Sequence, residues 1–405
     1  MSDLPGSADV VVIGGGIAGT SLAWHLARRL AGRVTLLERS VIAAGASGKT
    51  GALLRRHYSN RPEAILAQAG WETYANWPAI VGGDPVHTPS GLVVTIPAGP
   101  GYEANRDRLH RNVALQNEVG IPSRVVTAAE LQTLEPHADT ANLIAAHEPE
   151  SGFVDAVAAT RGMAGAARAA GATIFERCPV LEIISSGDRA RGVRTPYGTI
   201  TAPVVVCVAG PWSTRLLATA GVALPVTALR VQVVVLQRPL AFEPAHLAYI
   251  DTVAGMFCRP WGPGRTLVGV SGGDQHEPAD PDTANPYLDP DYPALAIAAI
   301  TRRFPIMAGA VALHGHAGLY DMSPDAHPIL GAAGPDGLFV MAGFSGAGFK
   351  KAPAAAQALA ELILHGRASL VDLHPFRLDR FATDAWRTPW SETEYHLGSD
   401  FGHGL

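Results

Sequence analysis

Six residues, Gly14-Gly15-Gly16-Ile17-Ala18-Gly19, form a GxGxxG run, and Glu38 follows 24 residues after Gly14 at the end of an apolar stretch. Glycines so spaced allow a tight turn at Gly14, close approach of backbone to a pyrophosphate at Gly16, and close helix packing at Gly19. An acid at that distance reaches a ribose hydroxyl. A second stretch, AAGASGKT at residues 43 to 50, nearly spells a triphosphate loop in which Gly48, Lys49 and Thr50 would hold phosphates and magnesium. The two name different chemistries: dinucleotide binding, or ATP hydrolysis and transfer.

The elements that must position these residues separate the two. Asp9 to Ile13 is a short apolar run that enters the glycines directly, and Leu22, Ala23, Leu26, Ala27 and Leu30 recur behind them at helical spacing. Val34 to Glu38 is the next strand. The order is strand, glycine turn, helix and acidic strand end, with the helix's first N–H groups aimed at an anion. A triphosphate loop must leave a buried strand directly. Here the strand has already ended, only Val41 and Ile42 are large and apolar between Glu38 and Gly45, and Ala43 replaces the first glycine. Dinucleotide binding is the better reading. Glu38 disfavours NADP and leaves NAD or FAD open.

At 405 residues the chain predicts two domains, and 47% hydrophobic against 17% charged residues predicts a folded protein. A net charge of −5 without basic clusters excludes a nucleic-acid footprint. The apolar runs are short, and MSDLPGSADV has neither a basic n-region nor an h-region, so no membrane span or signal peptide is expected and the location expected is cytoplasmic. Cys178, Cys207 and Cys258 match no metal-ligand spacing and suit buried thiols. Lysine is scarce: Lys49, Lys350 and Lys351 are the only three among 31 basic residues.

Further along, Gly51-Ala-Leu-Leu-Arg55-Arg56-His57-Tyr58 puts Arg-x-x-Tyr behind a glycine turn. Ala202-Pro-Val-Val-Val-Cys-Val-Ala209-Gly210-Pro211-Trp212-Ser213 forms a strand and turn. Gly318 to Gly331 (GLYDMSPDAHPILG) precedes Gly343-Phe344-Ser345-Gly346-Ala347-Gly348-Phe349-Lys350. In this order the segments resemble the D-amino-acid-oxidase superfamily of flavoproteins, its sarcosine oxidase and dimethylglycine dehydrogenase branch, whose signature is GFSGHGFK. The resemblance implies an α/β protein (α+β overall) with a Rossmann-like FAD-binding domain of the glutathione-reductase type. That domain would comprise residues 1–80, 150–215 and 318–370. A substrate domain built on a mainly antiparallel β-sheet with helices would take 81–149 and 216–317, leaving 371–405 as a tail. Val93–Ile96, Val231–Leu236 and 266–271 read as its strands, and residues 273–292 as a surface loop.

The resemblance also implies the site. FAD would contact Gly14, Gly16, Ile17, Ala18, Gly19, Glu38 and Arg39, then Gly45, Ala46, Ser47, Gly51 and Ala52. Val180, Ala209, Gly210 and Trp212 would follow, with Gly343 through Lys350. AAGASGKT becomes a flavin-contacting loop. Arg55 and Lys350 correspond to the family's carboxylate clamp, a guanidinium fork with an ammonium; His57 and Tyr58 adjoin it as further catalytic candidates, and Phe257 and Arg259 would line the substrate side. A helix over Pro353–His365, with Leu359, Leu362 and Ile363 inward and Gly366 ending it, would aim its N-terminus at the flavin's N1 and C2 carbonyl and stabilise the negative charge of the reduced anion. His314 and His316 share a strand face, but no third metal ligand is suitably spaced.

The activity implied is oxidation of the C–N bond of a secondary, N-methylated or cyclic amino acid, sarcosine-like or proline-like, by hydride transfer to flavin N5. The imine formed then hydrolyses. Two departures qualify this. Ala347 stands where the signature has His, and Leu267 stands where the monomeric oxidases carry an oxygen-activating Lys. Gly318 lies near the position of their flavin-linking cysteine, so FAD is expected to be noncovalent. Oxygen or another acceptor remains open, as does a flavin-carrying subunit or assembly factor that needs a partner chain.

Overall fold

The computed structural model describes residues 4–29, 32–270 and 277–383; Leu30, Ser271 and the tail beyond 383 lie outside the described residues. Strand Val10–Ile13 is buried along its length and pairs in parallel with Val34–Leu37 on one side and Val204–Cys207 on the other. Thr173–Phe175 and Leu338–Ala342 extend this sheet in parallel at either end, and antiparallel Ile329–Ala332 completes six strands. A strand buried on both faces needs an unbroken apolar run; Val10-Val-Val-Ile13 supplies it. Helix Ile17–Ala27 follows and packs on helices Ala156–Ala169 and Gly348–His365 in one apolar core.

A second, mostly antiparallel sheet holds the anticipated strands at Leu92–Pro97, Thr227–Gln237 and Arg265–Val270. Its face toward helix Tyr292–Arg303 is closed by Val93, Val234, Leu236, Tyr249 and Phe304. The other face, with Leu92, Val94, Ile250 and Phe257, meets Leu53 of the Arg-x-x-Tyr segment. The long strand Val311–Met322 runs antiparallel to Thr227–Gln237 and delivers Gly318 to Tyr320 beside the first sheet. No described helix is long and apolar enough to cross a membrane.

The C-terminal helix differs from its expected extent. It spans Gly348–His365 and carries Pro353 inside, where the sequence suggests a start. Proline has no N–H for the carbonyl four residues back, which is Phe349 O. The Tyr74 hydroxyl donates to that carbonyl at 2.8 Å, and the Tyr74 ring stacks between Trp77 and Phe349. A donor from a remote helix thus replaces the missing one and the helix continues. At the other end Gly366 adopts φ +73 as the C-cap, and Leu359 is fully buried. Tyr74→Phe keeps the stack but leaves a buried carbonyl without its donor, and should lower stability by about 1–3 kcal/mol. Denaturant midpoints measure this; Pro353→Ala in the Tyr74→Phe background restores an N–H and should recover most of it.

Candidate active site

A cavity of about 620 Å³ is lined by residues of both sheets. Gly14, Gly16, Ile17, Ala18, Glu38 and Arg39 line its first end, followed by Gly45, Ala46 and Ser47. Val180, Ala209, Gly210 and Trp212 lie across from them, and Phe344, Gly346, Gly348 and Phe349 line the far end with Gly318 and Tyr320. The remaining anticipated contacts support this wall from behind. A Cβ on Gly19 would sit 2.0 Å from Gly14 O, so Gly19 sets helix packing. Gly51 lies under the Phe257 ring, and Ala52 is buried at φ +51. Gly343 and Ser345, at φ +70 and +52, form a turn held by Asp321, which accepts from Gly343 N at 2.7 Å through its side chain and from Ser345 N at 3.0 Å through its carbonyl. Ala347 packs with Tyr58, Ala64, Ala67 and Ile121.

The glycine turn tests the fit to a dinucleotide. Gly14 adopts φ +119, where a Cβ would meet Val208 O at 2.3 Å. At Gly16 the added atom would meet only Ser47 Oγ at 2.9 Å. Gly16 caps the helix with no side-chain hydrogen bond, and Ser47 Oγ accepts from Ile17 N at 2.9 Å. The Glu38 carboxylate accepts from Gly15 N at 2.6 Å and from Ser40 N at 2.7 Å, which holds it at the mouth of the turn with acceptor capacity left for a ribose hydroxyl. A backbone cradle at one end and an extended cavity beyond it suit FAD. AAGASGKT, turned as a short 3-10 helix at Ala46–Lys49, is part of this wall and does not leave a strand.

One part of the wall was not anticipated. The region read as a surface loop reaches the cavity through Pro281, Asp282, Ala284, Asn285 and Pro286. Asp282 accepts from Arg39 and from Trp212 Nε1, both at 2.7 Å, and pairs with Arg215, while the Arg39 guanidinium lies 4.0 Å from the Trp212 ring. The part of that loop before Glu277 lies outside the described residues. Lys49 also lines the cavity, its side chain against Gly318, with burial lowering its pKa.

Behind the far end lies a buried cluster of charge. Arg56 fixes the Arg-x-x-Tyr segment: it donates to Ser151 Oγ at 3.0 Å and Gln68 Oε1 at 2.9 Å, its backbone N–H donates to Glu148, and its guanidinium covers Trp71. Arg55, 5% exposed, then places its guanidinium 4.4 Å from the Tyr58 ring centroid. Lys350, in the first turn of the C-terminal helix, interacts with the Tyr58 phenol. Burial lowers its ammonium to about 8, with repulsion from Arg55 and Lys351 in the same direction and Tyr58 opposing. Burial alone would raise the Tyr58 phenol, but Arg55, Lys350 and Lys351 together bring it down to about 8. His57 is buried and driven down to about 3, mainly by desolvation, and its Nδ1 meets Gln116 Nε2 at 2.8 Å. Lys49 thus lines the cavity, while Lys350 and Lys351 both act on Tyr58.

The other substrate-side expectations resolve differently. Arg259 is committed to structure: its Nε donates to Gly51 O at 2.5 Å and its guanidinium lies between Phe153 and Trp261. Leu267 is buried among Val233, Val235 and the Phe257 and Trp261 rings. His316 Nε2 bonds Lys49 O at 3.1 Å, and among the described residues no group of three His, Cys, Asp or Glu could hold a metal.

Residues 9–362 match the family model described as DAO, FAD dependent oxidoreductase. The chain belongs to this family. The family is described as FAD dependent, which answers the choice between NAD and FAD in favour of FAD. Among DAO relatives, human mitochondrial sarcosine dehydrogenase is 29% identical over 394 residues, covering 93% of this chain but 42% of that protein. The sarcosine oxidase subunit beta of Arthrobacter sp is 25% identical over 389 residues, covering 93% and 92%. The crystal structure of L-proline dehydrogenase from P. horikoshii matches with a TM-score of 0.84 at 25% identity, covering 94% of this chain and 99% of that one. The chain spans less than half the length of the sarcosine dehydrogenase it matches.

Proposed function

We propose that this DAO-family protein oxidises the C–N bond of an amino acid with a secondary, N-methylated or cyclic amine, and that Arg55 and Lys350 hold its carboxylate. The observation that carries this is the meeting of a guanidinium and an ammonium, far apart in sequence, on one buried phenol behind the far end of the cavity. A carboxylate matches the guanidinium fork, and the neighbouring ammonium adds a second cation for it. When bound, FAD supplies the hydride acceptor, and the protein positions the carbon beside nitrogen against it. Loss of the C–H hydride and an amine proton leaves an imine, which water hydrolyses to a carbonyl compound and an amine. Noncovalent FAD, held by the three chain segments 1–80, 150–215 and 318–370, belongs to the same reading, with 81–149 and 216–317 covering the substrate.

Anaerobic addition of N-methylated and cyclic amino acids to the yellow protein should bleach the flavin, and amines lacking a carboxylate should not. A broad amino-acid panel that leaves the flavin oxidised ends the substrate reading. A second reading follows from the subunit relative, which this chain nearly spans: the chain carries flavin within a larger assembly. Rapid reoxidation in air of the isolated, substrate-reduced chain would count against it.

A further inference from the structure

Beneath the Tyr58 ring, opposite in sequence but adjacent in space, lies a charged trio that the carboxylate clamp does not use. Lys351 Nζ sits 3.7 Å from the Tyr58 ring centroid and pairs with Glu63, both side chains being almost wholly buried. Glu63 is the third residue of helix Arg61–Ala75; its backbone N–H donates to Asn60 Oδ1 at 3.0 Å, and its Oε2 accepts from Asn60 Nδ2 at 3.0 Å and meets His327 Nδ1 at 2.8 Å. His327 is pinned in turn: Asp325 Oδ1 accepts from its N–H at 3.1 Å, and its carbonyl accepts from Ser323 Oγ at 2.7 Å and Arg380 at 2.9 Å. Lys351 and His327 hold the Glu63 carboxyl well below its usual range against the burial that would raise it.

A buried ion pair is a poor device for stability alone, because desolvation offsets most of its Coulomb gain. This one stands where it acts on Tyr58. The phenol is 2% exposed, and Lys350 interacts with its oxygen. The groups facing it are Arg55 and neutral His57 from its own segment, Glu63 from the helix that follows, and Lys350 and Lys351 from the C-terminal helix. Val119 and Ile121, which close the remaining side, are apolar. Three cations against one carboxylate favour a negative oxygen.

We propose that Lys351, fixed by Glu63 and His327 under the ring, is a positioning residue that keeps Tyr58 ready to take the proton of the substrate's amino group. The N–H bond of the substrate ammonium breaks, the Tyr58 O–H bond forms, and the nitrogen lone pair so released drives hydride loss from the neighbouring carbon. This rests on the amine-oxidation reading, but its test does not. Tyrosine ring-carbon NMR of the FAD-loaded protein, without substrate, follows the one resonance missing from Tyr58→Phe among nine tyrosines. That resonance should titrate near pH 8 in the native protein. In Lys351→Met it should move up by on the order of one to two pH units, and Lys351→Arg should restore it. With a reducible substrate in hand, the acidic limb of the kcat profile, where the proton-accepting Tyr58 is lost to protonation, should shift up in parallel.

Where Lys351→Met fails to fold because Glu63 is left buried and unpaired, the double variant Glu63→Gln/Lys351→Met removes both charges and should show a smaller upward shift, because the Glu63 charge that opposes Lys351 at the phenol is lost with it. A Tyr58 resonance that titrates in the ordinary tyrosine range in the native protein overturns the proposal. So does one that keeps its midpoint when the Lys351 charge is removed.

Discussion

Arg55→Ala should retain bound flavin and lose about thirtyfold to several thousandfold in kcat/KM toward carboxylate-bearing amines. Removing one member of a buried, charge-assisted contact costs about 2–5 kcal/mol, and each decade in rate corresponds to about 1.4 kcal/mol. Flavin content should persist because Arg55 is not among the residues that line the cavity around the dinucleotide turn. Most of the loss should fall on KM, with a smaller part on kcat where the reacting carbon is misplaced. Arg55→Lys keeps charge without the planar fork and should recover only part of the activity. Steady-state kinetics beside flavin stoichiometry decide the matter. An Arg55→Ala protein whose KM stays within twofold of the native value would mean that the carboxylate is held elsewhere.

Gly14→Ala should yield protein that is destabilised by about 2–6 kcal/mol and purifies with little flavin. The conformation at φ +119 is strained for any residue with a Cβ, at about 1–3 kcal/mol. The new atom would also meet the Val208 carbonyl at 2.3 Å, and overpacking of this kind adds about 1–3 kcal/mol. Val208 follows the central strand Val204–Cys207, so relief of the clash must move the sheet itself. Gly16→Ala is the control, with φ −75 and a clash only with the hydroxyl of Ser47. That variant should fold normally and bind FAD more weakly, since its methyl group stands in the cradle wall. Equal denaturation midpoints for the two variants would contradict this division of labour.

Local rules carried the glycine turn from residues to structure. A strand, a glycine turn and a helix are set by neighbours within 30 residues, and Val10–Ile13 with Ile17–Ala27 stands where periodicity puts it. The meeting of Arg55 with Lys350 was legible in another way, through motif order, because no local rule links positions so distant. What stayed illegible depended on partners that sequence spacing does not reveal. Pro353 reads as a helix start until Tyr74 brings its hydroxyl to Phe349. Residues 281–286 look like any proline-rich surface loop until Asp282 ties them to Arg39, Trp212 and Arg215. Glu63, a routine acid in the first turn of a helix, acquires its meaning from Lys351, 288 positions away. The scarcity of lysine was the one available clue to that pair, and it pointed to the right end of the chain.

That scarcity gives the molecule an unusual outward chemistry. Lys350 and Lys351 are buried and Lys49 faces the flavin cavity, so the side-chain cations displayed to solvent are all guanidinium groups. Amine-directed reagents such as succinimidyl esters or aldehyde resins would find, apart from the chain terminus, a target only inside the cleft. Mild acylation thus becomes a footprint of cleft occupancy, with Lys49 modified in flavin-stripped protein and shielded once the cofactor is restored.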